Sequence, residues 1–519
     1  MGRLMAAQYG DLKAALAEID ALSGLEGLMQ WDMQTMMPPK GAEARARSAA
    51  ALAGVLHARR TDKKLGAMID SCGGREATAD KLGEGTDEFD VANVRRAAEA
   101  YERTVRIPEA MAKREAELEN KGHHAWVEAR KASDVSVFMP VLKEWVDLVK
   151  ERSALVRPGG DAYDTAMHDF ERGLTSARVD EIFAPVGEAV SKLVARVRAA
   201  GGAPVALRNR GGTSVLVGEF DEAKQAELCK QIALDMGFSL DMGRLDVSAH
   251  PFTGGADATD VRMTTRYKAE DLSESITGTI HETGHALYEQ GRNAKYAGQP
   301  VSAAHSMGVH ESQSLLWERM VGLRPEFSAY LLPKLQSAFP EQFADVTPEE
   351  LHASFNIVKT PSLIRVEADE LTYPLHVILR YEIERGLVNG TVSADDVPSL
   401  WNKRMKELLG DEPPDDAKGC LQDVHWSAGA FGYFPTYLLG AMYAAQIYAT
   451  ASESLPGLEA ELARGEFGRL KAWLNANVHA LGSKFDTADE LLVAVTGKPL
   501  DAASFLAYLE AKYTRVYGL

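Results

Sequence analysis

His281, Glu282 and His285 bring two imidazoles and a carboxylate into one short run, His281-Glu282-Thr283-Gly284-His285, the pattern HExxH. On a helix, residues four apart share a face about one turn apart, so both rings can reach a single tetrahedral metal. Glu282 adjoins the first ring and can reach a water held at that metal, which makes it the candidate general base. The chemistry implied is hydrolysis. The spacing works only on a helix. Asp271 followed by Glu274 reads as a capping box and Gly291 as a C-terminal stop, which predicts a helix over 272–290. Its ring-bearing face continues through the polar Ser273, Thr277 and Tyr288.

A catalytic zinc typically takes three protein ligands and keeps a fourth position open. The metzincin extension is absent, because Tyr288 and Gly291 occupy the positions of its glycine and third histidine. A downstream carboxylate is needed, from Glu289, Glu311, Glu318 or Glu326. Glu289 lies about 80° round the helix from His281 and is poorly aimed. A second helix is predicted over 302–322, with Glu311 and Glu318 on one face. Glu311 sits in a polar cluster with His310 and Gln313, whereas Glu318 beside Arg319 reads as a surface ion pair. Glu311 is the expected third ligand.

The elements around these residues are mostly helical. Leu12, Leu16, Ile19, Leu22, Leu25 and Leu28 form an apolar stripe over 9–29. Similar periodicity predicts helices over 87–131, 135–156, 179–199, 221–236, 347–356, 374–387, 397–409 and 456–481. The middle differs: residues 200–213 are a Gly-rich loop or hairpin, and 215–220 and 260–267 read as strands of a small β element near the metal helix. Length alone suggests roughly three domains. The absence of repeats or linkers favours one helical body over 1–519 instead, with room for two lobes.

The chain has 519 residues, 57 Lys+Arg against 75 Asp+Glu, and a net charge of −18, which disfavours a nucleic-acid partner. Three scattered cysteines give no disulfide framework and fit a reducing, cytoplasmic setting. The N-terminal segment lacks a signal-peptide core before Asp11, and Ala6 replaces the Ser/Thr that myristoylation favours. Residues 424–452 lack Asp, Glu, Lys and Arg, but His425, Pro435, Gln446 and four tyrosines read as a buried helix rather than a membrane span.

Six motifs in order extend the pattern: His250-Pro251-Phe252, Asp260-Val261-Arg262-Met263-Thr264, His281 to His285, His310-Glu311-Ser312-Gln313, Ile364 to Asp369 (IRxxAD) and Gly419 to Trp426 (GxxQDxHW). With Trp31-Asp32 and Met37-Pro38, they resemble the carboxypeptidase Taq family, family thirty-two of the M-type metallopeptidases. The resemblance spans essentially the whole chain. It implies a mostly α-helical fold with a deep groove, commonly a homodimer, holding one catalytic metal, zinc or sometimes cobalt. It also implies His281, His285 and Glu311 as ligands, Glu282 as base, and release of single residues from free peptide C-termini with broad preference.

A substrate carboxylate suits an arginine fork, and Arg262 and Arg365 lie in these motifs. Their alternative is pairing with Asp260 and Asp369. His250 reads as a wall of the site, and His310 as a contact beside the metal rather than a ligand. Gln422 and His425, with Trp426, Tyr433 and Tyr437, read as groove lining, and Tyr433 is the first candidate for a hydrogen bond to the tetrahedral intermediate. Asp369 or Asp423 is expected to orient a ligand histidine. The alternative activity is a zinc endopeptidase or oligopeptidase on the same helix. A scaffold with an accidental HExxH would bind no metal.

Overall fold

The helix predicted over 272–290 forms over Leu272–Gln290 in the computed structural model, which describes residues 2–519, with side chains from Ala7 onward. The readings that rest on Met1 and on the side chains of Gly2 to Ala6 lie outside what is described. Asp271 is the N-cap, and its carboxylate accepts from the Ser273 backbone N–H at 2.8 Å. The reciprocal half of the capping box is missing, because Glu274 turns to Arg266 and Lys268. Gly291 ends the helix in the right-handed region, φ −90°, rather than the left-handed one. Its value is space: a Cβ there would lie 2.5 Å from the His479 ring.

Helices hold 68 % of the chain. The long N-terminal helix spans Gly2–Thr35, while the region predicted as one helix over 87–131 is two, Glu88–Arg106 and Glu109–Ala132. Pro108 separates them, as its ring disfavours helical conformation in the preceding residue. The predicted 456–481 helix is likewise broken, into Leu458–Leu462 and Gly468–Asn477. One apolar core runs from Met111 to Tyr517, and a smaller one gathers Tyr9, Leu12 and Leu16 with Leu65, Ile69 and Val94. The uncharged stretch forms the helix Pro435–Ser454, which is packed into the main core. No helix among the described residues is long and apolar enough to cross a membrane. All three cysteines are buried and free.

The β element is a three-stranded sheet of β1 (Gly243–Val247), β2 (Thr253–Asp257) and β3 (Asp260–Thr265), in the order β1-β3-β2. β1 pairs parallel to β3, with Leu245 opposite Met263; β2 pairs antiparallel, with Thr253 opposite Met263. The expected strand at 215–220 is absent. Leu216 and Phe220 are buried there, but only Val217 forms a bridge, to Asp271. The sheet lies against the HExxH helix, where Thr279 Oγ1 donates to Thr265 Oγ1 at 3.1 Å. The glycine-rich 200–213 segment is a loop around the short turn Val205–Arg210.

Candidate active site

The helix expected over 302–322 starts later, at Met307, with Ser306 as N-cap, and runs regularly to Leu315. A π-helical turn, Leu316–Gly322, follows. Two glycines let this helix sit where a ligand must. A Cβ on Gly284 would lie 2.6 Å from the Gln313 carbonyl oxygen, and one on Gly440 would lie 2.9 Å from Glu311 Cβ. The HExxH helix and the Pro435–Ser454 helix therefore clasp the Glu311 segment from two sides.

The N-terminus of that segment rests on a buried carboxyl. Glu171 accepts from the Gly308 N–H at 3.0 Å, Ser306 Oγ at 2.9 Å and the Tyr443 hydroxyl at 3.3 Å. Burial pushes Glu171 from its ordinary 4.5 up to about 7. The folded state thus holds the proton more tightly than the unfolded chain. Stability from that proton is full below pH 4.5 and is lost as pH rises through about 7, a change of about 3 kcal/mol. Glu384, held by Tyr163, Trp426 and Gly432, is raised by burial to the same value. Glu171→Gln is expected to remove the Glu171 contribution, about 3 kcal/mol, from this acid-side slope. Chemical denaturation across pH 4 to 8 measures it, and an unchanged slope rejects the assignment.

Three donor atoms, one each from His281, His285 and Glu311, lie within 4.8 Å of one another. Glu311 Oε2 is 3.8 Å from His281 Nε2 and 3.5 Å from His285 Nε2. The opposite ring nitrogens are already committed. His281 Nδ1 meets Glu318 Oε2 at 2.7 Å, and His285 Nδ1 meets His310 Nδ1 at 2.6 Å. His310 Nε2 in turn meets Glu289 Oε1 at 2.8 Å. With both Nε2 atoms kept for a metal, Nδ1–H of His281 donates to Glu318. Nδ1–H of His285 then donates to His310, and Nε2–H of His310 to Glu289. This is the outer arrangement that fixes ring tautomers at metal sites. The His-His-Glu set fits a divalent metal.

The carboxylates dominate the local field. Burial alone would lower His281, but Glu311 and Glu318 push it up to about 9. Burial alone would raise Glu311, and the two histidines hold it down to about 2. Such mutual shifts are those of a site built to take a cation in place of protons.

The sequence profile of the carboxypeptidase Taq (M32) metallopeptidase family matches residues 11–513. The chain belongs to this family. It is a metal-dependent carboxypeptidase, a peptide hydrolase. Thermostable carboxypeptidase 1 of Thermus thermophilus is 39 % identical over 521 residues, covering 99 % of each chain. Carboxypeptidase 1 of Bacillus subtilis is 40 % identical over 504 residues, 97 % of each. The crystal structure of the M32 carboxypeptidase from Deinococcus radiodurans superposes with a TM-score of 0.93 at 37 % identity, covering 99 % of this chain and 100 % of that one.

Around this M32 metal centre, the structure sorts the other motif residues. Glu282 is only 6 % exposed, and its Oε2 accepts from Thr253 Oγ1 of β2 at 2.6 Å. Glu318 is no surface pair with Arg319: it orients His281, while Arg319 lies over the Tyr373 ring at 5.2 Å. Neither expected aspartate orients a histidine. Asp369 accepts backbone N–H groups of Lys359, Leu371 and Thr372. Asp423 accepts from Arg365 at 2.8 and 2.9 Å and from Arg380 at 2.6 Å.

Arg365, 4 % exposed, also donates to the Tyr373 hydroxyl at 2.7 Å and lies over Tyr437 at 4.8 Å; it does not pair with Asp369. Gln422 Oε1 accepts from the Arg365 backbone N–H and from Arg380. His425 stacks on Phe434 at 4.4 Å, with Nε2 3.2 Å from the Tyr437 hydroxyl, and burial pushes it down to about 4. Tyr433 packs on Phe170 and Tyr437, raised to about 12 by burial and then by Glu311. Cavities of about 520 and 310 Å³ meet at Asp169 and Phe170, and the smaller reaches His310. Arg262 lies on β3 and His250 in the β1–β2 connection, on the sheet side of the HExxH helix. Arg262 forks onto Asp260 at 2.6 and 3.0 Å and stacks on Trp31, and the His250 ring is exposed. Sequence reading missed Arg380, Tyr373 and Thr253; an arginine directly after the apolar run Val377-Ile378-Leu379 was the available signal.

Proposed function

We propose that the protein trims peptides one residue at a time from a free C-terminus, with broad side-chain preference and Glu282 as general base. The observation that carries this is the convergence of His281, His285 and Glu311 beside Glu282 on one helix. A divalent metal on those three residues, zinc first and cobalt second, would supply Lewis acidity to the scissile carbonyl and acidify water. Thr253 occupies Glu282 Oε2, which leaves Oε1 to take a proton from the attacking water and deliver it to the leaving amine. Glu318 and His310 hold the two rings in the tautomers that this arrangement requires.

Tyr433 is the first candidate for an oxyanion donor, because its hydroxyl lies in the field of the ligand carboxylate Glu311. Arg365 is the first candidate for the substrate carboxylate and Arg262 the second. His250, Gln422 and His425 complete the wall, Gln422 and His425 by bracing Arg365 and Tyr437. The reading extends to one unit over 1–519, a homodimer, and action in the cytoplasm.

A peptide and its C-terminally amidated twin test the reading on metal-loaded enzyme. The free acid is expected to lose residues stepwise and the amide to survive. Chelation should stop the reaction and zinc restore it. Equal internal cleavage of both peptides would establish the endopeptidase instead.

A further inference from the structure

A cavity of about 190 Å³ shares no residue with the metal centre. Arg324 at the start of the Pro325–Ala338 helix lines it, with His352 and with Tyr508, Lys512 and Arg515 of the C-terminal helix Ala502–Tyr517. No carboxylate lines it. In a chain of net charge −18, three cations and a histidine share one concave wall. Two of the cations already have carboxylate partners. Glu370 pairs with Lys512 at 2.5 Å, and Glu326 and Glu459 pair with Arg324 at 3.2 and 2.9 Å. Arg515 is exposed and pairs with no carboxylate among the described residues.

His352 gives a second, independent sign. It is 8 % exposed, and its Nε2 finds no hydrogen-bond partner among the described residues. Burial and the charges of Lys512, Arg515 and Arg324 push it down to about 3, so the ring is neutral among cations.

We propose that this cavity binds a small phosphate-type oxyanion, with the unpaired guanidinium fork of Arg515 as its principal partner and the Arg324 Nη1 and Lys512 ammonium N–H groups beside it. Arginine forks match the paired oxygens of a tetrahedral anion, and Lys512 supplies a compact third charge.

Calorimetric titration of metal-loaded enzyme with inorganic phosphate, at constant ionic strength against chloride, tests this. Saturable binding to wild type is expected, weakened at least tenfold by Arg515→Ala and further by Arg515→Glu, with peptidase activity unchanged in both. Arg515 is exposed, so neither variant threatens folding. Circular dichroism checks that. No saturable phosphate binding beyond the chloride control overturns the proposal. So does Arg515→Glu protein that binds phosphate within tenfold of wild type, since any phosphate taken at the metal centre is blind to residue 515.

Discussion

Glu282→Gln enzyme is expected to keep one metal per chain and lose about 10²- to 10⁴-fold in kcat, the usual contribution of a positioned general base. In barrier terms that is roughly 3–5 kcal/mol. Metal content should hold because the donor set is His281, His285 and Glu311. The geometry makes the substitution clean. Thr253 Oγ1 donates to Glu282 Oε2 at 2.6 Å, and the amide oxygen of glutamine can accept the same bond. What is lost is the basicity of the other oxygen. Elemental analysis per chain alongside steady-state kinetics decides the matter. A metal-loaded Gln variant retaining a tenth or more of wild-type kcat would remove Glu282 from the role.

The metal centre was legible because a helix converts spacing into geometry: i and i+4 face one way, and the caps bound the segment. Glu311 emerged from the same periodicity. Glu318 was misread through its neighbour. Adjacent residues on a helix point about 100° apart, so Arg319 was always a poor partner for it, and in the fold the two diverge to His281 and Tyr373. Strand β2 was invisible for a different reason. Thr-Gly-Gly-Ala-Asp has almost no β-branched signal. Gly255 is there for its φ of +136° at the bulge, where a Cβ would lie 2.2 Å from the Asp260 carbonyl oxygen. Conversely, 215–220 has strand-like burial and makes three backbone hydrogen bonds to 269–272, but only Val217 and Asp271 meet in bridge register, so no ladder forms. Alternation reports which side chains are buried, and pairing depends on distant chain. The partners of Arg365 illustrate the same limit. Its motif supplied Asp369 four residues away, and the fold supplied Asp423, 58 residues away.

Metal retention should separate the two glutamates that flank His281. Glu311→Gln is expected to abolish stoichiometric metal, since it removes a charged donor that Gly284 and Gly440 exist to seat. Glu318→Gln should instead weaken metal affinity about 10- to 100-fold, the typical effect of losing a group that orients a ligand. Its carboxylate touches only the far nitrogen of His281, at 2.7 Å, and a freed ring still presents Nε2 part of the time. Competition with a chelator of known affinity reads both variants. The kinetic consequences then diverge. Excess zinc should restore most of the activity of Glu318→Gln by mass action, whereas no metal concentration restores Glu282→Gln, whose defect is proton transfer. Unaltered metal affinity in Glu318→Gln would show that the His281 ring is fixed by its packing alone, leaving the hydrogen bond to Glu318 without a part in holding the metal.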